Sequence, residues 1–336
     1  MNICVCGYLG MGNFGDELFL KTFAQVLEGH RVFPWVAQVD VNRVDAVLIG
    51  GGDLITPYHF NSFYFPPQLE NKPTWIYGVG IVDYYPEHTW PAEEVEKYRV
   101  RTAGAQSMAL RDQRSADIAA RLSLNGSIDV VPDVVFGYEP PGYPMGRFSA
   151  RPTAGLCIFT YDAFPKDKLL EIAGHLIAKG YDLVFIPVVN QSNNTFADAG
   201  LCSELKEEIL QRHPKAVVLV PRPQYDLEVT YSYLGSLDCL ISFKLHPSLA
   251  AIRSGVPVFC LTQMSKVRSL MESFGLDDYV LDYTLPQETL MEKLDDFLAN
   301  GRARLAAAAP RIRQTEELAR RKLEELKASM EQRLLP

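Results

Sequence analysis

The chain has 336 residues, 47% of them hydrophobic and 22% charged, with a formal net charge of −8. That is enough for two domains with sizeable cores and excludes a disordered chain. The acidic balance, with no basic run in the body, excludes general nucleic-acid binding, and no stretch reaches the ~20 apolar residues of a membrane span.

Ile3–Cys6 is a short apolar run and reads as a first strand. The N-terminus carries no cationic region, and this run is too short for a secretory h-region, so a cytosolic protein is expected. The stretch GYLGMGNFGDE, residues 7–17, follows and leads into a helix near 16–28. It holds a G-x-G-x-x-G at Gly10, Gly12 and Gly15, the outline of a dinucleotide fingerprint. Two features argue against that ligand. Tyr8 and Leu9 separate Gly7 from Gly10, and Asp16-Glu17 open the helix, where they would favour its dipole but repel a pyrophosphate. No clear acid stands where one should hold a ribose about 20 residues on, since Val32–Val36 is followed by Ala37-Gln38 and Asp40 comes late. A tight turn alone explains one or two glycines better than four within nine residues.

Strands at Ala46–Ile49, Trp75–Val79 and Ser107–Leu110 follow, with helices at 92–102 and 112–122. Gly50-Gly51-Gly52-Asp53 is expected at a strand end, either to let backbone approach a ligand or to make a sharp turn. The aromatic stretch 56–66 offers either faces for a sugar ring or a hydrophobic plug. Arg111 ends a strand and Asp112 is a helix N-cap; VVPDVVF around Asp133 looks similar. Residues 139–153, rich in proline and glycine, read as a linker.

The alternation then resumes: strand Gly155–Phe159, helix 166–179, strand Leu183–Val189, helix 197–212, strand Ala216–Val220, a helix near 226–235, strand Cys239–Phe243, helix 247–254, strand Val256–Leu261 and helix 267–274. Gly180, Gly255 and Gly275 fall where helices should stop. The whole reads as two doubly wound α/β domains of similar size, whose intervening cleft is a natural ligand site. The tail from Gly301 carries nine Lys/Arg against five Glu, with Leu323, Leu326, Met330 and Leu334 as one helical stripe. A helix packed on the body is the favoured reading, and a basic helix at an anionic membrane face the weaker one.

Arg111, Lys244, His246 and Lys266 all fall where a parallel strand turns into a helix, the edge at which doubly wound sheets bind ligands. Pro247 fits the first helical position, putting His246 at or beside the N-cap. Taken singly, such residues are usually solvated or capping groups; together they suggest a small, strongly anionic ligand. The six histidines, His30, His59, His88, His175, His213 and His246, have no metal-ligand spacing, and there is no D-x-D or G-x-S-x-G, so no metal is expected. The six cysteines, Cys4, Cys6, Cys157, Cys202, Cys239 and Cys260, have no C-x-x-C and mostly sit in apolar runs, so buried free thiols are expected.

In order along the chain, GYLGMGNFGDE, Gly50-Gly51-Gly52, Arg111-Asp112-Gln113-Arg114-Ser115, Pro132-Asp133, Lys244-Leu245-His246, Gly255-Val256-Pro257 and Lys266 match one pattern. With these residues the sequence resembles the polysaccharide pyruvyl transferases. The resemblance implies two Rossmann-like domains facing a cleft, as in GT-B glycosyltransferases. It implies metal-independent transfer of a pyruvyl group from phosphoenolpyruvate to a sugar diol as a cyclic ketal, with no cofactor, and assigns Arg111, His246 and Lys266 to the donor. The corresponding domains are 1–145, with the glycine loop and the acceptor side; 146–300, with the phosphoenolpyruvate side; and a basic C-terminal helix, 301–336. His246 is the expected acid, since histidine is the side chain that titrates near neutrality unperturbed. Asp16, Glu17 and Asp53 are the candidates to orient the acceptor or take its proton, Asp16 first among them, with Gly10, Gly12, Asn13, Gly15, Gly51 and Gly52 as its cradle.

Lys244 stands where the family has arginine, keeping the charge but losing the bidentate fork. Residues 190–199, NQSNNTFADA, lack the acidic pattern expected after their strand. A nucleotide-sugar glycosyltransferase and a glycan-binding protein with a decayed donor site remain alternatives. The acceptor sugar, its attachment to lipid and the oligomeric state stay open, as does peripheral membrane contact through the tail.

Overall fold

The computed structural model describes residues 1–82, 85–160, 164–190, 197–221 and 226–334. Two compact α/β units emerge from their own contacts. The first comprises 1–10, 15–139 and 314–336; the second comprises 11–14 and 140–313.

The first unit contains β1 (Asn2–Cys6), α1 (Phe14–Val26, whose first residue clusters with the second unit), β2 (Arg31–Pro34), β3 (Ala46–Ile55), β4 (Thr74–Ile81), α2 (Ala92–Ala103), β5 (Ser107–Leu110), α3 (Gln113–Arg121) and β6 (Ile128–Val130). Among the described residues its sheet runs β2-β1-β3-β4-β5-β6, with every pairing parallel. Ile3, Cys4, Val5 and Cys6 are all fully buried. That is why the strand reads as a continuous apolar run rather than an alternation: both faces of the parallel sheet are covered. The order reverses direction between β1 and β3, so the carboxyl ends of those strands flank the switch point.

The second unit contains β7 (Thr153–Cys157), α4 (Lys166–Ala178), β8 (Asp182–Phe185), α5 (Asp198–Arg212), β9 (Val218–Leu219), α6 (Leu227–Gly235), β10 (Cys239–Ser242), α7 (Leu245–Arg253), β11 (Val258–Leu261), α8 (Ser265–Glu272), β12 (Val280–Leu281) and the first part of α9 (Gln287–Leu334). Its strands lie in the order β9-β8-β7-β10-β11-β12, all parallel, which is the Rossmann order 3-2-1-4-5-6 with the switch point between β7 and β10. Gly180, Gly255 and Gly275 end α4, α7 and α8 with φ of 88°, 77° and 70°, a left-handed stop that favours glycine.

The proline-rich segment after Pro140 packs on the second unit. Tyr143 donates to Glu228 at 2.8 Å, Phe148 lies 5.2 Å from the Tyr233 ring, and Arg151 pairs with buried Asp182. The chain therefore passes from one unit to the other at 139/140. The tail helix begins at Gln287 and not at 301, because Gly301 does not stop it. A Cβ there would lie 2.8 Å from the Phe297 ring, which packs on Phe259 and Tyr279. Residues up to Arg313 belong to the second unit, and those from Gln314 to the first. In the first unit Leu323, Leu326 and Met330 are buried, Leu334 is half-buried, Ser329 accepts from Trp75 at 3.0 Å and Lys322 pairs with Asp129 at 2.9 Å. The apolar stripe is thus turned into the protein; the last two residues of the tail lie outside the described ones.

All six cysteines are free and buried. Burial is the main influence raising the thiol pKa of Cys157, Cys202, Cys239 and Cys260; at Cys6 the hydrogen bond with Cys4 comes first. No helix among the described residues is long and apolar enough to cross a membrane.

Candidate active site

At the first unit's switch point, β3 does not end at the triple glycine. It continues to Ile55, with a register shift between Gly52 and Ile55. Gly51 and Gly52 have φ of 76° and 81°. A Cβ on Gly51 would lie 2.1 Å from the Phe19 side chain, and one on Gly50 would lie 2.8 Å from the Phe23 ring. The glycines therefore let α1 press its aromatic face onto β3, a contact no side chain at these positions would permit. The same approach brings Asp16 Oδ1 to 3.0 Å from where a Gly52 Cβ would be.

The next residue, Asp53, accepts from Arg111 Nη2 at 2.5 Å. This pair lies against Gly80 of β4, where a Cβ would come within 2.5 Å of Arg111 Nη2 and 2.6 Å of Asp53 Oδ1. Arg111 is 9% exposed and Asp53 21%. Burial opposes the guanidinium charge, but the carboxylates of Asp53, Asp133 and Asp112 outweigh it and hold the Arg111 pKa above its ordinary value. Arg111 is thus already surrounded by negative charge within its own unit.

Asp112 caps α3. Its Oδ1 accepts from Ser115 N at 2.7 Å and its Oδ2 from Ser115 Oγ at 3.1 Å, while Ser115 Oγ accepts from Ile81 N at 3.0 Å. The R-D-x-x-S pattern is therefore half structural: it ties the end of β4 to the start of α3. Asp112→Ala is expected to cost about 1–2 kcal/mol, the usual worth of an N-cap, measured by urea unfolding; a loss below a few tenths would mean the cap is redundant. Asp133, 6% exposed, caps the helical turn Val134–Gly137 by accepting from Val135 N at 3.0 Å.

In the aromatic stretch 56–66, Phe60 and Phe65 stack edge-on against Tyr98 at 4.9 and 5.3 Å. The Tyr98 hydroxyl accepts from Thr56 N at 3.2 Å and donates to His59 O at 3.1 Å, so this part is a pinned plug. Phe63 stays 41% exposed. The Tyr64 hydroxyl is pushed up to about 12, first by burial and then by Asp16 and Tyr8. A pocket of about 310 Å³ lies between the Tyr85–Trp90 connection and α3, lined in part by Arg114 and Arg121; none of the expected site residues lines it.

In the second unit, β10 runs into α7 at the switch point. Lys244 is the N-cap, and Leu245, His246 and Pro247 are the first three helical residues. Proline is thus third and not first. Its missing N–H still costs no helical bond, because the first turn's donors have no intrahelical partner. His246 is half-buried with its Nε2 enclosed. Lys266 is the second residue of α8, which follows the neighbouring strand β11 and touches α7. One sheet edge therefore carries an imidazole and an ammonium on the first turns of two adjacent helices, an arrangement suited to an anion.

Lys244 is paired with a carboxylate of its own unit. Its Nζ lies 3.0 Å from both Asp198 Oδ1 and Oδ2. Asp198, the first residue of α5, is fully buried, and its Oδ2 accepts from Val188 N at 2.9 Å and Val189 N at 3.0 Å. Within the segment 190–199, whose acidic pattern did not match expectation, Asp198 is the residue that the fold buries; residues 191–196 lie outside the described ones. Sequence offered only a weak signal, because an aspartate opening a helix reads as an ordinary dipole partner.

Met11–Phe14, the middle of the glycine loop, belongs to this second unit, while Gly10 and Gly15 belong to the first. Phe14 N donates to Val188 O at 2.8 Å, Asn190 N donates to Gly12 O at 2.9 Å, and Asn13 bridges Val189 in antiparallel fashion. Gly10 and Gly12 have φ of 76° and 66°, the turn that glycine permits. Glu17, in the first turn of α1, is half-buried. Among the described residues no group of three His, Cys, Asp or Glu side chains gathers as around a metal ion.

A family model for polysaccharide pyruvyl transferase matches residues 13–263. The chain belongs to the polysaccharide pyruvyl transferase family. The family match takes in the triple glycine, Asp53, Arg111, Lys244 and His246, and stops short of Lys266. No curated protein matches the chain by sequence. Solved structures share its fold. A candidate UDP-N-acetylglucosamine 2-epimerase from Listeria monocytogenes superposes with a TM-score of 0.64 at 13% identity, covering 98% of this chain and 96% of that one. MnaA from S. aureus, solved with UDP, gives 0.62 at 11% over 92% and 91%. A ugt transferase from Siraitia grosvenorii in complex with UDP gives 0.55 at 11% over 98% and 99%. At such identities the likeness is one of fold: two Rossmann-like parallel-sheet units of the GT-B class. The family makes the protein a transferase acting on polysaccharide.

Proposed function

We propose that the protein transfers a pyruvyl group from phosphoenolpyruvate to a diol of a polysaccharide or its precursor, forming a pyruvate ketal and releasing phosphate. The observation that carries this reading is the second unit's sheet edge, where His246 and Lys266 sit on the first turns of adjacent helices. Phosphoenolpyruvate brings a phosphate and a carboxylate, and helix N-termini with an ammonium match that charge.

Addition at C2 of an enol phosphate needs protonation of its methylene carbon. His246 supplies that proton, and the π electrons form the new C–H bond, leaving an oxocarbenium-like C2. One acceptor hydroxyl attacks C2 and loses its proton. The C2–O bond to phosphate then breaks, the pair leaving with phosphate. The second hydroxyl closes the ketal and gives up its own proton. Asp16, Glu17 and Asp53 are the carboxylates we propose to orient the acceptor or take these protons, with Gly10, Gly12, Asn13 and Gly15 shaping the loop beside it. The resemblance also assigns Arg111 to the donor. On this reading the reaction is cytoplasmic and the acceptor is a free or lipid-linked glycan.

The test is incubation with phosphoenolpyruvate and a panel of nucleotide- and lipid-linked sugars, read by mass spectrometry and phosphate release. The expected product is a sugar bearing a pyruvyl ketal, formed with an equal amount of phosphate. Glycosyl transfer from a UDP- or GDP-sugar without any use of phosphoenolpyruvate would replace this reading with a glycosyltransferase.

A further inference from the structure

We infer that Lys244 and Asp198 form a buried latch that holds the middle of the glycine loop, so that Lys244 is a positioning residue for the loop and not a ligand of the donor. The kinetic part of this inference rests on the proposed pyruvyl transfer; the structural part does not.

Asp198 is fully buried and gathers donors on both oxygens: Lys244 Nζ at 3.0 Å to each, and the amides of Val188 and Val189 on Oδ2. Asp198 N in turn donates to Val189 O at 3.0 Å, closing the connection between β8 and α5 on itself. The same short stretch meets the glycine loop with its remaining backbone groups. Val188 O accepts from Phe14 N and Asn190 N donates to Gly12 O, the two bonds that set Asn13 opposite Val189 in an antiparallel bridge. Phe14 is then sealed in, 2% exposed, with its ring 6.4 Å from that of Tyr231. Each side of this stretch is thus committed, one to the carboxylate and the other to the loop.

Lys244 is 14% exposed and its charge is matched by one full carboxylate. Drawing the ammonium toward a phosphate would leave a buried, unpaired carboxylate in contact with two amides, a state of high cost. The ammonium reaches both Asp198 oxygens at once, so its charge is already satisfied inside the latch.

The test compares Lys244→Met, Asp198→Asn, their double variant and Lys244→Arg. Amide hydrogen exchange is read at Phe14 and Asn190, with Val5 and Ile241 as interior references. Each single neutralisation should speed exchange at Phe14 and Asn190 by about tenfold or more while leaving Val5 and Ile241 within about twofold, as a local opening does. The double variant should be no worse than either single one, the sign of a shared interaction, and Lys244→Arg should keep most of the protection. With phosphoenolpyruvate as the substrate, kcat should fall while its KM stays within about twofold. If the single variants do not fold, the double one carries the test, because an asparagine oxygen without the ammonium should still leave Phe14 and Asn190 exchanging faster. Unchanged exchange at both amides overturns the latch, and a rise in phosphoenolpyruvate KM of about tenfold with intact protection makes Lys244 a donor ligand instead. Should no acceptor ever yield a ketal, the exchange measurements alone decide the inference, and the failure belongs to the proposed reaction.

Discussion

His246→Ala is expected to lower kcat for phosphate release by a factor of about 10²–10⁴, the usual contribution of a positioned general acid, while the protein still unfolds cooperatively. The magnitude follows from the chemistry. In the proposed pyruvyl transfer, attack at C2 waits on a proton reaching a carbon atom, and no hydroxyl of the acceptor is acidic enough to deliver it early. The second helical residue of α7 offers an imidazole whose Nε2 is enclosed by protein. His246→Gln separates two roles, because an amide can hold a hydrogen bond at that place but cannot serve as an acid. Both variants should therefore fail alike in kcat, with donor KM changed far less than kcat. A glutamine variant within about tenfold of the parent would mean that the imidazole binds or orients and the proton comes from elsewhere.

Much of the fold is legible in the sequence alone. Ser107–Leu110 reads as a strand and is one, and Gly180, Gly255 and Gly275 end helices, because burial on both faces and left-handed stops leave local marks. The edge strand Ile128–Val130 carries no such mark, because its two half-buried residues flank an exposed aspartate. Val280–Leu281 is shorter still. Gly50–Gly52 was legible as unusual but not as a packing site, because a sharp turn and a tightly seated helix make the same demand on the backbone. Only the position of Phe19 and Phe23 separates them. Lys244 shows the limit more sharply. Its place at a strand end follows from its neighbours, but its partner lies 46 positions earlier, so the sequence pattern supplies a charge without saying what neutralises it. Gly80 escaped for a similar reason: a glycine within an apolar strand signals close approach, and what approaches is Arg111 with Asp53.

Arg111→Met should destabilise the protein by about 3 kcal/mol, near the lower bound for removing one partner of a buried ion pair, measured by urea unfolding. The lower bound applies because Asp53 keeps 21% of its side-chain surface and can recover some hydration. Asp133, 6% exposed, has less recourse, and methionine offers it no counter-charge. Arg111→Met combined with Asp53→Asn should recover part of the loss, since the second change removes the carboxylate that the first one orphans; additive losses would mean the two residues stabilise the fold independently. Asp53→Asn alone then separates structure from chemistry. It leaves the guanidinium in place with less negative charge around it. If Arg111 draws the anionic donor, as the resemblance assigns, this variant should lose stability yet hold or lower the KM for phosphoenolpyruvate. If instead Asp53 serves the acceptor and Arg111 merely holds it in place over Gly80, kcat and the acceptor KM should suffer and the donor KM should not move. A loss of stability under about 1 kcal/mol for Arg111→Met would show the pair to be screened like a surface bridge, and would withdraw the view of Gly80 as the seat of a buried charge pair.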